Sequence, residues 1–438
     1  MKDYIQYIIR FLLGDSIPGE YISSVGYTDD PRQYDKYSIV IRPCGFFDST
    51  TYGKTSSIPS FPLKQLDRTP LLFGETTEKM IGDTLVLYAD LVASSFFLLT
   101  RYEEMVKRSV RDEHGRFPGK ESFPFRGEFL HRPIVDEYGL YLRNKLRQLG
   151  AKLPAEKQSI RKIYLTHDVD APFYCRTWRS IVREIKNGQS IWKAIKTKTG
   201  KLEEDMNYTF PWLFSEDNKL RAAFGKERCK PICFFKGGGN TKQDKPVYSL
   251  TNKDIKSLFT LCKHDRIEIG LHSSYQAGKE PEQIVKEKKK LESATGGKIK
   301  ANRHHFLSSR EPEHFAFLLK SEINHDFTMG YADVAGFRLG TCRAVRWINP
   351  GTRKLTSLVL HPLTIMECSL SEEKYMNLSY EEALDYSLGL INQTALHRGE
   401  LSLLWHNTSL QTGYLKNLYS TLLDKIIQID SENRQQYK

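Results

Sequence analysis

From Lys162 onward, apolar runs of strand length alternate with longer segments whose apolar positions recur at helical spacing. The runs predict strands over 162–167, 231–236, 266–271, 298–304, 325–328, 357–366 and 401–405. Helical periodicity fills many of the intervals, near 176–197, 252–263, 281–294, 311–321 and 379–397, and a last helix runs from about Leu415 to Ile429. Strands separated by helices predict right-handed βαβ units and a parallel sheet. Seven such strands suit a barrel-like α/β architecture better than a small open sheet.

The first 155 residues follow a different pattern. Pro, Gly, Asp and Tyr are frequent between 15 and 80, and helical periodicity is confined to about Asp83–Tyr102 and Pro133–Leu149. Between these helices lies a polar, Gly- and Pro-punctuated stretch, Asp112-Glu-His-Gly-Arg-Phe-Pro118. The change predicts a smaller α+β domain over 1–155 and a larger α/β domain over 156–438. Residues 1–14 pattern as a short amphipathic helix. Arg10 interrupts their apolar character, so a secretion signal is not expected there. No internal repeat or low-complexity tract is present.

Polar clusters fall at the ends of the predicted strands, where parallel α/β folds gather their active sites. The first strand ends in Thr166-His-Asp-Val-Asp170. Residues i and i+2 of a strand share a face, so Asp168 and Asp170 stand side by side. Two carboxylates that close repel unless a cation or a proton lies between them, and a divalent metal is the common solution. An isolated D-x-D is more often a solvated turn, and a lone strand-end histidine is more often a structural hydrogen-bonder. Three further clusters weigh against both: His272-Ser-Ser-Tyr-Gln276, Arg303-His-His305 and Trp405-His406-Asn407 each follow or end a predicted strand. His167 points away from the D-x-D face and reads as structural.

Composition narrows the class. With 39% hydrophobic and 27% charged residues the chain is of the soluble globular type, and no apolar stretch approaches a bilayer span. A cytoplasmic location is expected, with peripheral membrane contact a lesser option. Seven scattered cysteines match no zinc-finger spacing and read as reduced structural thiols. A net charge of +12 favours polyanionic partners, yet no helix-turn-helix, finger or ribonucleoprotein pattern accompanies it, so nucleic acid is a weak option.

The clustered residues resemble the polysaccharide deacetylase family, the NodB-homology or carbohydrate esterase family four group. The match covers roughly 160–430, in a divergent bacterial subgroup with an extra N-terminal domain. The resemblance implies a distorted (β/α) barrel and a metal-dependent hydrolase that removes N- or O-acetyl groups from sugars or glycan precursors. Asp168 matches the family's general base and Asp170 its first metal ligand. His272 matches the start of the H-[ST]-x-x-H metal motif, but Gln276 stands at its second histidine. Arg303 matches the arginine that orients the base, and His406 the general acid. Leu363-Thr-Ile-Met-Glu367 resembles the segment that carries an acid near that histidine.

The expected metal is zinc, which takes three protein ligands at a catalytic site. Asp170 and His272 supply two. The third is Gln276, through its carbonyl oxygen, or His305, which follows Arg303 by two residues on the same side of the strand. A bidentate Arg303–Asp168 pair is expected to hold the base, Glu367 to orient His406, and Tyr275 to face the substrate. Because the second motif histidine is missing, the alternative is a degenerate protein that binds a glycan or partner without hydrolysing it.

Overall fold

In a computed structural model of the chain, residues 2–154, 158–174, 176, 178–186, 188 and 190–435 are described. It has a mixed α/β architecture with parallel-sheet elements. The N-terminal part holds β1 (Val25–Tyr27), β2 (Ile39–Ile41), a small β3–β4 hairpin (Lys64–Leu66, Thr69–Leu71), β5 (Gly74–Ile81) and β6 (Thr84–Ala89). Strands β1, β2 and β6 run parallel and β5 pairs antiparallel at the edge, in the order β1-β2-β6-β5.

The predicted helix over Asp83–Tyr102 is only partly right. Its first part is β6, and the helix proper is Leu91–Leu99, opened by the Asp90 side chain accepting from the Ala93 N–H. Thr84-Leu-Val-Leu-Tyr-Ala is a continuous apolar run because it is buried on both faces between β2 and β5, and such a run mimics a helix. The two-residue Gly82-Asp83 turn before it, with Gly82 at φ +58°, is a hairpin signal present in the sequence.

The helix Asp3–Leu13 buries Tyr4, Ile5, Ile8, Ile9, Phe11, Leu12 and Leu13 against the helices Leu91–Leu99 and Ile134–Gln148. The contact is close: a Cβ on Gly139 would lie 2.3 Å from the Leu12 carbonyl oxygen. This apolar face therefore belongs to the core and is not available to a bilayer.

The larger sheet has nine strands: β7 (Lys162–Val169), β8 (Cys229–Lys236), β9 (Glu268–Ser273), β10 (Ala301–His304), β11 (His325–Met329), β12 (Val345–Asn349), β13 (Lys354–Pro362), β14 (Ile365–Met366) and β15 (Glu400–Leu404). Their order is β12-β13-β11-β10-β9-β8-β7-β15-β14, and every pair is parallel except the edge strand β12. The predicted 357–366 strand is thus two, separated after Pro362. The Leu363 N–H donates to the Met329 carbonyl at the end of β11, whereas the Thr364 N–H donates to that of Ser402 on β15. The predicted 176–197 helix is also two, Trp178–Lys186 and Ile191–Thr199, with Gly188 between them at φ +85°.

Candidate active site

Strand register brings the polar clusters together. Asp168 lies opposite Phe234 on β8, Lys236 opposite His272 on β9, and His272 opposite Arg303 on β10. Gly270 leaves room for the Phe234 ring, since a Cβ there would come within 2.5 Å of it. That ring in turn lies 5.0 Å beneath the Arg303 guanidinium. His167 points the other way, bonded at 2.9 Å to both the Trp405 carbonyl and Asp217.

Asp170, His272 and His305 present three ligand atoms to one point. Asp170 Oδ1 is 3.1 Å from His272 Nε2 and 3.3 Å from His305 Nε2. Donor atoms about 2.1 Å from a tetrahedral metal lie roughly 3.4 Å apart, so the spacing fits. Asp170 Oδ1 and His272 Nε2 are also buried without a hydrogen-bond partner, a costly state that a cation would relieve. Desolvation opposes the Asp170 carboxylate, but His305 and His272 hold its pKa well below the usual range.

The outer nitrogens of the imidazoles are engaged. His272 Nδ1 donates to the Arg303 carbonyl at 2.9 Å, and His305 Nδ1 lies 3.4 Å from Asp244 Oδ1. These contacts direct each Nε2 toward Asp170. Sequence reasoning missed Asp244. It sits in the loop after β8, where it also accepts from the Tyr275 N–H and the Thr241 hydroxyl, each at 2.7 Å. Nothing local marks it in the sequence, because the partners that tie it to the site, Tyr275 and His305, are 31 and 61 residues away. β10 ends at His304, and His305 enters the site from a tight turn with Phe306 and Leu307 at positive φ.

Gln276 is not part of this group. Its side-chain amide donates to Glu280 one turn along its own helix, at 3.1 Å. Two further expectations are corrected. Arg303 does not grip Asp168 bidentately; its Nε lies 3.6 Å from Asp168 Oδ1, an ion pair without hydrogen bonds, while another of its nitrogens donates to Thr166 Oγ1 at 2.6 Å. Tyr275 is buried, packed edge-on against His114 and Phe306, and does not line the cavity around Asp168 and His406.

On the opposite side, His406 Nε2 is 4.0 Å from Asp168 Oδ2 and 3.7 Å from Asp170 Oδ2. Its Nδ1 is 2.6 Å from Glu367 Oε1, which also accepts from the His406 N–H and the Ser409 hydroxyl. Burial disfavours the charged imidazole, yet Glu367 raises its pKa well above the ordinary value. The two carboxylates and the histidines line a cavity of about 290 Å³, which Arg116 from the N-terminal part also reaches. Arg116 is held there by Asp112 at 2.7 Å and the Phe306 carbonyl at 3.0 Å.

Residues 5–151 match the model of a family of unknown function (DUF7033). No curated protein matches the chain. Among solved structures, a candidate polysaccharide deacetylase from Mycobacterium smegmatis aligns at 13% identity and TM-score 0.37, over 66% of this chain and 94% of the other. An allantoinase aligns at 12% identity and TM-score 0.38, covering 62% and 85%. A CE4-family pseudoenzyme from Bacillus anthracis aligns at 12% identity and TM-score 0.29, covering 63% and 66%.

Proposed function

We propose that this chain is a metal-dependent hydrolase that removes an acetyl group from a carbohydrate or glycan precursor, breaking a C–N amide or an O-ester bond. Residues 156–438 form its catalytic unit as a distorted (β/α) barrel. Between β13 and β14 the chain bonds first to β11 through Leu363 and then to β15 through Thr364, which supports closure of the sheet. Residues 1–155 form an α+β unit that borders the site. The site works in the cytoplasm, in keeping with the free cysteines among the described residues.

One observation carries the reading. Asp170, His272 and His305 form a three-ligand set with orphaned buried atoms, and a carboxylate and an imidazole flank it. Three protein ligands with an open side suit a catalytic zinc. When bound, the metal supplies Lewis-acid polarisation of the acyl carbonyl and eases ionisation of water. Asp168 takes the proton from the attacking water, and the Arg303 guanidinium stands 3.6 Å from its Oδ1. As the C–O bond forms and the C–N or ester C–O bond breaks, His406 Nε2 gives its proton to the leaving nitrogen or oxygen. Glu367 keeps His406 protonated and oriented.

The test is acetate release from N-acetylated sugars by protein containing about one equivalent of divalent metal. Asp170→Ala is expected to lose the metal, and Asp168→Asn to keep the metal but lose turnover. Bound metal and bound glycan with no acetate release would favour a non-hydrolytic binder instead.

A further inference from the structure

The helical hairpin that follows Asp170 has the composition of an interfacial membrane contact. Its helices, Trp178–Lys186 and Ile191–Thr199, pack side by side. They are inserted in the chain between the end of β7 and the helix Phe210–Phe224. Ile181 is turned inward, yet Val182 is 52%, Ile191 50% and Trp192 78% exposed, the last being the most exposed large hydrophobic among the described residues. Ile185, three residues from Val182 and therefore on the same face, is exposed as well. A helix that serves only the core does not leave such residues in water.

In sequence, the same two helices carry Arg179, Arg183, Lys186, Lys193, Lys196 and Lys198 and a single acid, Glu184. That is a net +5 out of the chain's +12, within 22 residues. Cations interleaved with exposed Trp and Ile suit the headgroup region of an anionic bilayer, where apolar residues enter the acyl boundary and lysines meet lipid charge. A duplex would satisfy the charge but not the aliphatic residues, and a second copy would bring together two segments of net positive charge.

We infer that this hairpin docks the protein onto an anionic membrane surface, with Ile191 and Trp192 buried at headgroup level. Docking there needs no spanning segment, and no described helix is long and apolar enough to cross a membrane. The inference places the membrane contact on this hairpin and not on the N-terminal helix, and it is independent of the catalytic reading.

Co-sedimentation of the full chain with vesicles tests it. Vesicles of phosphatidylcholine with about 30 mol% phosphatidylglycerol should bind at least about tenfold better than phosphatidylcholine alone. The double variant Ile191→Ser/Trp192→Ser should weaken that binding at least about tenfold with an unchanged circular dichroism spectrum. Lys193→Glu/Lys196→Glu should weaken it similarly, and added salt should weaken it for the wild type. The proposal is overturned if anionic vesicles are not bound, if the double serine variant binds them as well as wild type, or if duplex DNA binds more tightly than the vesicles.

Discussion

Each histidine of the proposed site is oriented by what its other ring nitrogen touches. Nδ1 of His272 is fixed by the Arg303 carbonyl, that of His305 faces Asp244, and that of His406 faces Glu367. Contacts of this kind typically contribute 10- to 100-fold to metal affinity or activity. Asp244→Asn is therefore expected to weaken metal binding by about 10- to 100-fold in chelator competition, whereas Gln276→Ala, whose side chain serves only Glu280, should leave it unchanged. Glu367 sets the charge of His406. Its carboxylate favours the imidazolium, so Glu367→Gln should lower the His406 pKa and move the alkaline fall of the kcat/KM–pH profile to lower pH. An unmoved alkaline limb would show that His406 is not the group titrating there. Asp168, Asp170, His272, Arg303, His406 and Glu367 were legible because each stands at or beside the end of an apolar run. Asp244 was not, since it reaches the site through a loop. The choice of His305 over Gln276 depends on a turn with positive φ that no local pattern announces.

Among elements, those with one dominant period were read well and those buried on every side were not. β7, β8, β9, β11 and β15 fall within about two residues of their sequence-derived spans, as do the helices Lys253–His264 and Tyr380–Leu396. β6 and the edge strand β12 were missed or misread. β6 is a run without periodicity, and β12 alternates weakly where it packs at the sheet margin. The short helix Tyr102–Val106 carries a feature that periodicity cannot show. Its Glu104 is fully buried between Arg101 and Arg338, with bonds of 2.8 and 2.9 Å to Arg338. Burial alone would raise the Glu104 pKa, but the two guanidinium groups lower it from 4.5 to about 2. A depressed folded-state pKa means stability that is present above 4.5 and lost as the pH falls toward 2. Acid titration of unfolding should show a loss of about 3 kcal/mol across that window. Glu104→Gln should remove the pH dependence there and cost about 3 kcal/mol or more at neutral pH, by stranding two buried cations.

For the molecule as a whole, the sequence suggested two units, and the packing joins them. One apolar cluster runs without a break from Tyr4 on the first helix to Ile426 on the last. Across the same boundary Asp136 accepts from the Thr341 hydroxyl, the Cys342 N–H and the Arg343 guanidinium, and Glu104 binds Arg338. Buried carboxylates shared in this way are expensive to expose, because separation leaves charges without partners on both sides. The segment Asp112–Pro118 then carries Arg116 to the wall of the cavity, so the N-terminal part also lines it. Two consequences can be measured. The full chain should melt in a single transition, with near- and far-ultraviolet circular dichroism coincident. A fragment of residues 156–438 should lack fixed near-ultraviolet signals and bind hydrophobic dye, since Arg338, Arg343 and the apolar surface beneath the helix Ile134–Gln148 lose their cover. A fragment that folds cooperatively and keeps its metal would mean that the shared core is an ordinary domain interface and that Arg116 only borders the cavity.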